Sequence, residues 1–250
     1  MDHSPSVVSL SAVDEQRFGI RTARAMLKDI GNFQETVKFC RDNEVLLLIS
    51  RCPASRLDVV QVMESAGFLL MDTLVYYARN LTKTPIPANT SDVAIRGIRA
   101  GDEIQVQAVA ARSFKGYFGH YHADSRLNRT RCDEAYTSWA VNSCVSRDVA
   151  DEVLIATDDR ENILGFATLR LNRDREGEGV LFGVAPEAQG RGIYHLLMTA
   201  AMQWFLEKKC ECMLVSTQIT NIAVQKVWSR LGFEPCHAYY TFHKWFDGRD

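Results

Sequence analysis

Apolar positions recur at helical spacing over residues 33–43, 57–66, 103–113, 133–145, 192–208 and 223–231, with polar residues between them. A period of this kind buries one face of an amphipathic helix. Over 45–50, 68–78, 93–98, 153–157, 163–171, 179–184, 213–218 and 238–244 the apolar residues alternate or run together. These segments predict strands, with 68–78 forming one or two. Gly67 ends the second helix, because glycine takes the left-handed conformation that a helix stop needs. Residues 80–92, NLTKTPIPANTSD, lack apolar periodicity and hold two prolines, which is linker composition. The domain boundary is placed there, between an N-terminal α/β subdomain over 1–85 and a larger domain over 93–250. In the larger part helices interleave with strands, which predicts an α/β fold with a mixed central sheet and helices on its faces.

The 250 residues are 46% hydrophobic and 24% charged, enough to bury a sizeable core. A formal net charge of −2 argues against nucleic acid or a membrane surface as partner. Apolar runs such as 45–49 and 198–202 fall far short of the about 20 residues of a membrane span, and the N-terminus lacks a signal-peptide profile. A cytoplasmic protein is expected. Seven cysteines (40, 52, 132, 144, 210, 212 and 236) are odd in number and lack CxxC spacing, so they predict neither a disulfide framework nor a zinc site. No metal is expected.

The candidate chemistry concentrates at 184–198, Val-Ala-Pro-Glu-Ala-Gln-Gly-Arg-Gly-Ile-Tyr-His-Leu-Leu-Met. A strand ends, Pro186 breaks it, and a glycine-rich turn opens a helix. Gly190 and Gly192 let the backbone approach a ligand, and the first helical N–H groups converge where the dipole is positive. The natural guest is a pyrophosphate. The pattern is neither the dinucleotide GxGxxG nor the P-loop, since only Gly190 and Gly192 are present.

This segment resembles the acetyl-CoA signature of the GNAT superfamily, Arg/Gln-x-x-Gly-x-Gly/Ala at the start of a long helix. Gln189 and Gly192 match it, and Tyr194 departs from it. A second block, Asn221-Ile-Ala-Val-Gln-Lys-Val-Trp228-Ser-Arg-Leu-Gly232-Phe233, is similar to the family's Asn-x(6)-Tyr-x(3)-Gly-Phe. The resemblance implies a GNAT fold and acetyl-CoA as cosubstrate. It implies a donor site at Phe182, Gly183, Val184, Gln189, Gly190, Arg191, Gly192, Ile193, Tyr194, Asn221 and Trp228, with Asn221 on the pantetheine arm. The family commonly protonates the departing thiolate with the Tyr of the second block. Trp228 stands there, and an indole N–H does not give up its proton at accessible pH. Tyr239 and Tyr240 on the following strand are the replacements considered, against a plain packing role.

Over most of its length the chain is also similar to the dTDP-fucosamine acetyltransferases, which acetylate the amine of a nucleotide-linked aminodideoxyhexose. The matching residues are Phe18-Gly19, Gly67-Phe68, Ser113-Phe114, Tyr136-x-x-Trp139 and Val215-Ser-Thr217-Gln218-x-x-Asn221. Ser65-Ala-Gly67-Phe68 before Val75-Tyr76-Tyr77 echoes Arg230-Leu-Gly232-Phe233 before Ala238-Tyr239-Tyr240. The subdomain is therefore read either as a truncated GNAT-like copy or as a chance likeness.

The stretch 113–131 holds Lys115, Arg126, Arg129 and Arg131 against one acid, Asp124, among Phe114, Tyr117, Phe118 and Tyr121. Such a set suits a diphosphate with a stacked base or sugar, or equally a solvated basic face. Lys115, Tyr117, Tyr121, Arg126, Arg129 and Arg131 form the expected acceptor site. His120, His122, Glu178 and Asp72 are alternative general bases. The expected function is acetyl-CoA-dependent N-acetylation of a nucleotide-linked amino sugar, without nucleic acid or membrane, with a homodimer left open. The alternatives are a protein or small-molecule amine acceptor, or a non-catalytic CoA-binding module.

Overall fold

The computed structural model describes residues 7–87, 93–172 and 175–248. The first elements are β1 (Val8–Leu10), α1 (Ala12–Phe18), β2 (Thr22–Met26), α2 (Ile30–Asp42), β3 (Leu47–Pro53), α3 (Leu57–Ser65) and β4 (Leu69–Asn80). They are followed by β5 (Ala94–Gly97), α4 (Asp102–Ser113), α5 (His120–Ala123), α6 (Arg129–Val145), β6 (Glu152–Thr157), β7 (Ile163–Leu171) and β8 (Glu176–Val184). A 3-10 turn at Pro186–Ala188 leads to α7 (Ile193–Glu207), β9 (Cys212–Gln218), α8 (Ile222–Arg230) and β10 (Glu234–Trp245).

Two compact units arise from interleaved parts of the chain. One draws on Met1–Val75, Phe118–Cys132 and His237–Asp250, the other on Tyr76–Tyr117 and Asp133–Cys236. This division departs from the expected boundary between 85 and 93, for two reasons. First, β3 is completed by the C-terminal strand: β10 pairs antiparallel with it from Leu47↔Trp245 to Pro53↔Tyr239. Second, residues 80–87 belong to the second unit. There Leu81 is buried and its N–H donates to the Glu211 carbonyl at 2.8 Å. The buried Arg79 guanidinium donates to the carbonyls of Thr84 and Pro85 at 3.1 and 2.9 Å. Positions 88–92 of the expected linker lie outside the described residues.

In the first unit β1 pairs antiparallel with β2, and β2 runs parallel to β3, as the α2 crossover requires. Leu27, Leu48, Cys52, Met63, Phe68 and Phe242 lie among its core residues. Elements β1, α1 and β2 were not predicted, because each is too short to show a period. Only caps mark α1: the Ser11 hydroxyl accepts from the Asp14 N–H, and Gly19 closes the helix at φ 68°. The echo between Gly67 and Gly232 is real local geometry. Each glycine follows a nine-residue helix at φ 75° and 78°, and a buried phenylalanine and a twelve-residue strand come next.

In the second unit the strand order is β4-β9-β8-β7-β6-β5. Antiparallel pairing joins β5 through β8, and the register shifts between Thr168 and Leu169. Val180 is the extra residue, and next to it the Leu181 N–H donates to Thr168 Oγ1 at 3.1 Å. Strands β8 and β9 are parallel, but their register covers only Glu176–Gly179 against Cys212–Val215. Beyond those four pairs β8 continues to Val184 and β9 to Gln218, so the two strands part. Helices α4 and α7 cover the sheet with Val106, Val109, Leu197, Met198, Met202 and Phe205 in the core.

A fragment ending at residue 87 lacks β10 and leaves one edge of β3 open. It is expected to show no cooperative thermal transition by circular dichroism. A sharp transition in that fragment would mean that β10 is dispensable to the first unit.

Candidate functional site

Within the second unit the expected phosphate turn has the form its residues dictate. Strand β8 ends at Val184, Pro186 opens the 3-10 turn, and the Gln189 side chain donates back to the Val184 carbonyl at 3.3 Å. Gly190 and Gly192 sit at φ 74° and 77°, and a Cβ built on either would meet nothing within 4 Å. The glycines therefore serve backbone conformation and an open face, not packing. Gly192 is the N-cap of the fifteen-residue α7, with no side-chain cap, and Arg191 is exposed beside it. Converging N–H groups, a helix dipole and one cation at an open turn suit a phosphate.

The turn leads down β8 into the stretch that does not register with β9. From Val184 to Gly179 the strand rises about 17 Å. Glu178 stands one residue before the last β8–β9 pair, at the closed end of the gap, half-buried. Its carboxylate accepts from Asn172 Nδ2 at 3.4 Å.

Tyr194 on α7 and Trp228 on α8 are brought together. Trp228 is 2% exposed, and its Nε1–H donates to the Tyr194 hydroxyl at 2.9 Å. The Tyr194 ring lies 5.4 Å from Phe182 of β8, and Trp228 lies 5.4 Å from Tyr77. Burial raises the Tyr194 phenol pKa above its ordinary value of 10.0, against the opposing effect of the Trp228 N–H. Asn221 is the N-cap of α8. Its oxygen accepts from the Val224 N–H at 3.4 Å and its amide donates to Thr217 Oγ1 at 3.0 Å. These bonds use one lone pair and one of two amide hydrogens. Lys115 is exposed at the end of α4, and Tyr117 packs edge-on against Phe114 and Tyr136.

The other expected acceptor residues belong to the first unit. Tyr121 does not offer a stacking face: it is 6% exposed, and its hydroxyl donates to Asp14 Oδ1 at 2.6 Å. Burial pushes the phenol up to about 12. Asp14 is fully buried and also takes Ser11 Oγ at 2.6 Å and Arg24 Nε at 2.6 Å. Burial raises its carboxyl pKa, but Arg24, Ser11 and Tyr121 outweigh that and hold it below the ordinary 3.8. Arg126 pairs with Asp247 and lies 3.9 Å over the Trp245 ring, and Arg131 donates to the Arg17 carbonyl. Arg129 is exposed, 5.5 Å over Phe118. Tyr239 and Tyr240 are half-buried on β10 opposite Pro53 and Cys52, and Asp72 is half-buried on β4.

His120 belongs to a relay that its sequence neighbourhood does not reveal. The Asp124 carboxylate accepts from His243 Nδ1 at 2.7 Å and from Trp245 Nε1 at 2.9 Å, and His243 Nε2 meets His120 Nδ1 at 3.0 Å. Because the carboxylate can only accept, His243 Nδ1 carries a hydrogen. Burial, then the charges of His243, Arg24, Arg51 and His122, hold the His120 pKa well below 6.5. His122 Nδ1 accepts from the Gly119 N–H at 3.1 Å.

Residues 115–233 match the model of the Acetyltransferase (GNAT) family. Over 96% of this chain and 76% of the other, the structure superposes on a GCN5-related N-acetyltransferase from Sphaerobacter thermophilus, with a TM-score of 0.65 at 14% identity. The chain has the GNAT fold. Among curated relatives, a mycothiol acetyltransferase of Saccharopolyspora erythraea is 32% identical over 80 residues, 32% of this chain and 26% of that protein. The spore coat polysaccharide biosynthesis protein SpsD of Bacillus subtilis is 26% identical over 176 residues, 68% of this chain and 58% of that protein. The chain thus spans under two thirds of the length of these relatives. Among the described residues no helix is long and apolar enough to cross a membrane, and no group of three or more His, Cys, Asp or Glu could hold a metal ion.

In this GNAT fold Asp14, Arg24, Asp124 and His243 were missed by sequence reasoning. Their partners lie on other elements, up to 119 residues away, and no local motif marks them. Two measurements follow. Gly192→Ala and Gly192→Asp both place a side chain at positive φ, where aspartate is the better tolerated of the two, so a deficit of the Asp variant reports charge and not strain. The Asp variant is expected to bind acetyl-CoA at least about tenfold more weakly than the Ala variant in calorimetry. The second concerns pH. The unfolded chain takes up a proton at His120 near 6.5 that the folded chain refuses, so this contribution is complete above 6.5 and lost as pH falls below it. The melting temperature should drop between about pH 7 and 5, and His120→Gln should flatten that slope.

Proposed function

We propose that the chain is an acetyl-CoA-dependent N-acetyltransferase and that its acceptor is the amine of a nucleotide-linked amino sugar. The observation that carries the acetyl-transfer reading is one continuous line of backbone in the second unit. It runs from the open turn at Gln189–Tyr194, along the stretch of β8 that leaves β9, to Glu178 at the closed end. In this reading the turn and Arg191 hold the pyrophosphate. The N–H and C=O groups of β8 between Val180 and Val184 line the arm, and Asn221 borders it from the start of α8. A strand N–H of β8 beside the acyl end of the arm holds the oxyanion. Bound acetyl-CoA supplies the activated acyl group.

Glu178 is the preferred base, directly or through a water. His120 suits the role less well, because an imidazole held far below 6.5 attracts a proton weakly. The sugar acceptor is supported by the likeness to SpsD, whose name refers to polysaccharide biosynthesis, and by the exposed cation Lys115 in the same unit as the turn. The likeness to mycothiol acetyltransferases favours a second reading, a small-molecule amine without a nucleotide.

Incubation of the protein and acetyl-CoA with dTDP-, UDP- and GDP-amino sugars, read by mass spectrometry, tests the acceptor. Acetylation of a nucleotide sugar in preference to its free sugar is expected, and the reverse preference selects the second reading. Lys115→Ala should weaken the nucleotide sugar by about 1–3 kcal/mol and leave acetyl-CoA affinity alone. Glu178→Gln should lower kcat by about a hundredfold at unchanged acetyl-CoA affinity.

A further inference from the structure

Helix α7 follows β8 and helix α8 follows β9, and the Trp228–Tyr194 hydrogen bond at 2.9 Å joins them where the strands have parted. The Tyr194 ring also touches Phe182, which lies in the part of β8 without a β9 register. The phenol oxygen therefore sits between the two helices that border the gap. Trp228 can only donate, so the phenol accepts from it and must direct its own hydrogen elsewhere. The same contact accounts for both departures from the family pattern. A phenol is missing at 228, a phenol is added at 194, and the two side chains touch.

We propose that Tyr194 is the catalytic acid of this site, its O–H donating to the sulfur that leaves the acetyl group, and that Trp228 is the residue positioning it. The assignment rests on the acetyl-transfer reading above. The amine nitrogen forms the new bond to the acyl carbon, and the carbon–sulfur electron pair goes to sulfur. Sulfur takes the Tyr194 proton, the phenolate keeps the Trp228 N–H bond, and solvent returns a proton to it. The surplus ammonium proton leaves through the base to solvent, so no further reactant is needed. A phenol with its pKa raised by burial stays protonated at neutral pH, and the indole N–H stabilises the phenolate during transfer.

The test needs CoA alone and no acceptor. The thiol of CoA bound to the full chain is titrated by thiolate absorbance in the wild type, Tyr194→Phe and Trp228→Phe, with desulfo-CoA as the affinity control. Phenylalanine keeps the ring and removes only the hydroxyl, so the fold should persist. A donor to sulfur stabilises the thiolate, so the bound thiol's pKa should be about one unit higher in Tyr194→Phe than in the wild type, at similar desulfo-CoA affinity. Trp228→Phe should move it less, in the same direction. The double variant Tyr194→Ala with Trp228→Tyr, which returns the phenol to α8, should restore the wild-type value. Identical thiol pKa values in the wild type and Tyr194→Phe would overturn the assignment. So would tighter CoA binding by Tyr194→Ala without a pKa change, because the ring would then merely fill the gap. Failure of the wild type to bind desulfo-CoA would overturn the donor site itself, and is told apart by that control.

Discussion

The candidate site depends on the separation of two parallel strands. Strands β8 and β9 share four register pairs and then diverge, while β8 keeps antiparallel pairing with β7 up to Val184. A parallel sheet normally buries both edges of an interior strand, so an interior strand with one edge exposed is costly unless another group takes up its N–H and C=O groups. An extended amide-containing arm is such a group. The divergence also separates the helices that follow each strand, and side chains instead of backbone bridge them there. The Tyr194–Trp228 bond is that bridge.

In the first unit, buried charge organises the segment that was expected to recognise the acceptor. An unpaired carboxylate at zero exposure costs several kcal/mol, so Asp14 is tolerable only with its donors in place. Those donors come from α1, β2 and α5, and they pin Tyr121 inside. Asp124 does the same for β10 through His243 and Trp245. The aromatic and basic stretch is thus partly internal structure. Arg129 and Lys115 remain exposed, whereas Tyr121 is consumed by the network.

Much of the second unit was legible along the chain. The strand 163–171 was delimited as it stands, and α7 was placed within a residue at each end, because long amphipathic or buried elements declare their period. Gly190 and Gly192 were also legible, since a glycine at a strand–helix junction has few other uses. The first unit was less so. A three-residue β1 and a five-residue β2 carry no measurable alternation, and the pairing of β10 with β3 joins residues nearly 200 positions apart, as between Ser50 and Phe242.

The sequence by itself determined the local elements, the positive-φ turn and the residue types available for chemistry, because these depend on neighbours within a few positions. Only the tertiary structure decided which strands share an edge, where β8 leaves β9, and which polar side chains meet. Trp228 looked like the loss of an acid, and Tyr194 like a departure from the signature of the turn. Their hydrogen bond spans 34 positions of sequence, and no periodicity encodes a contact between the first turn of one helix and the second turn of another. Burial set the rest. The same tyrosine type is a buried strut at 121 and the acceptor of an indole N–H beside the parted strands at 194, according to what packs around each ring.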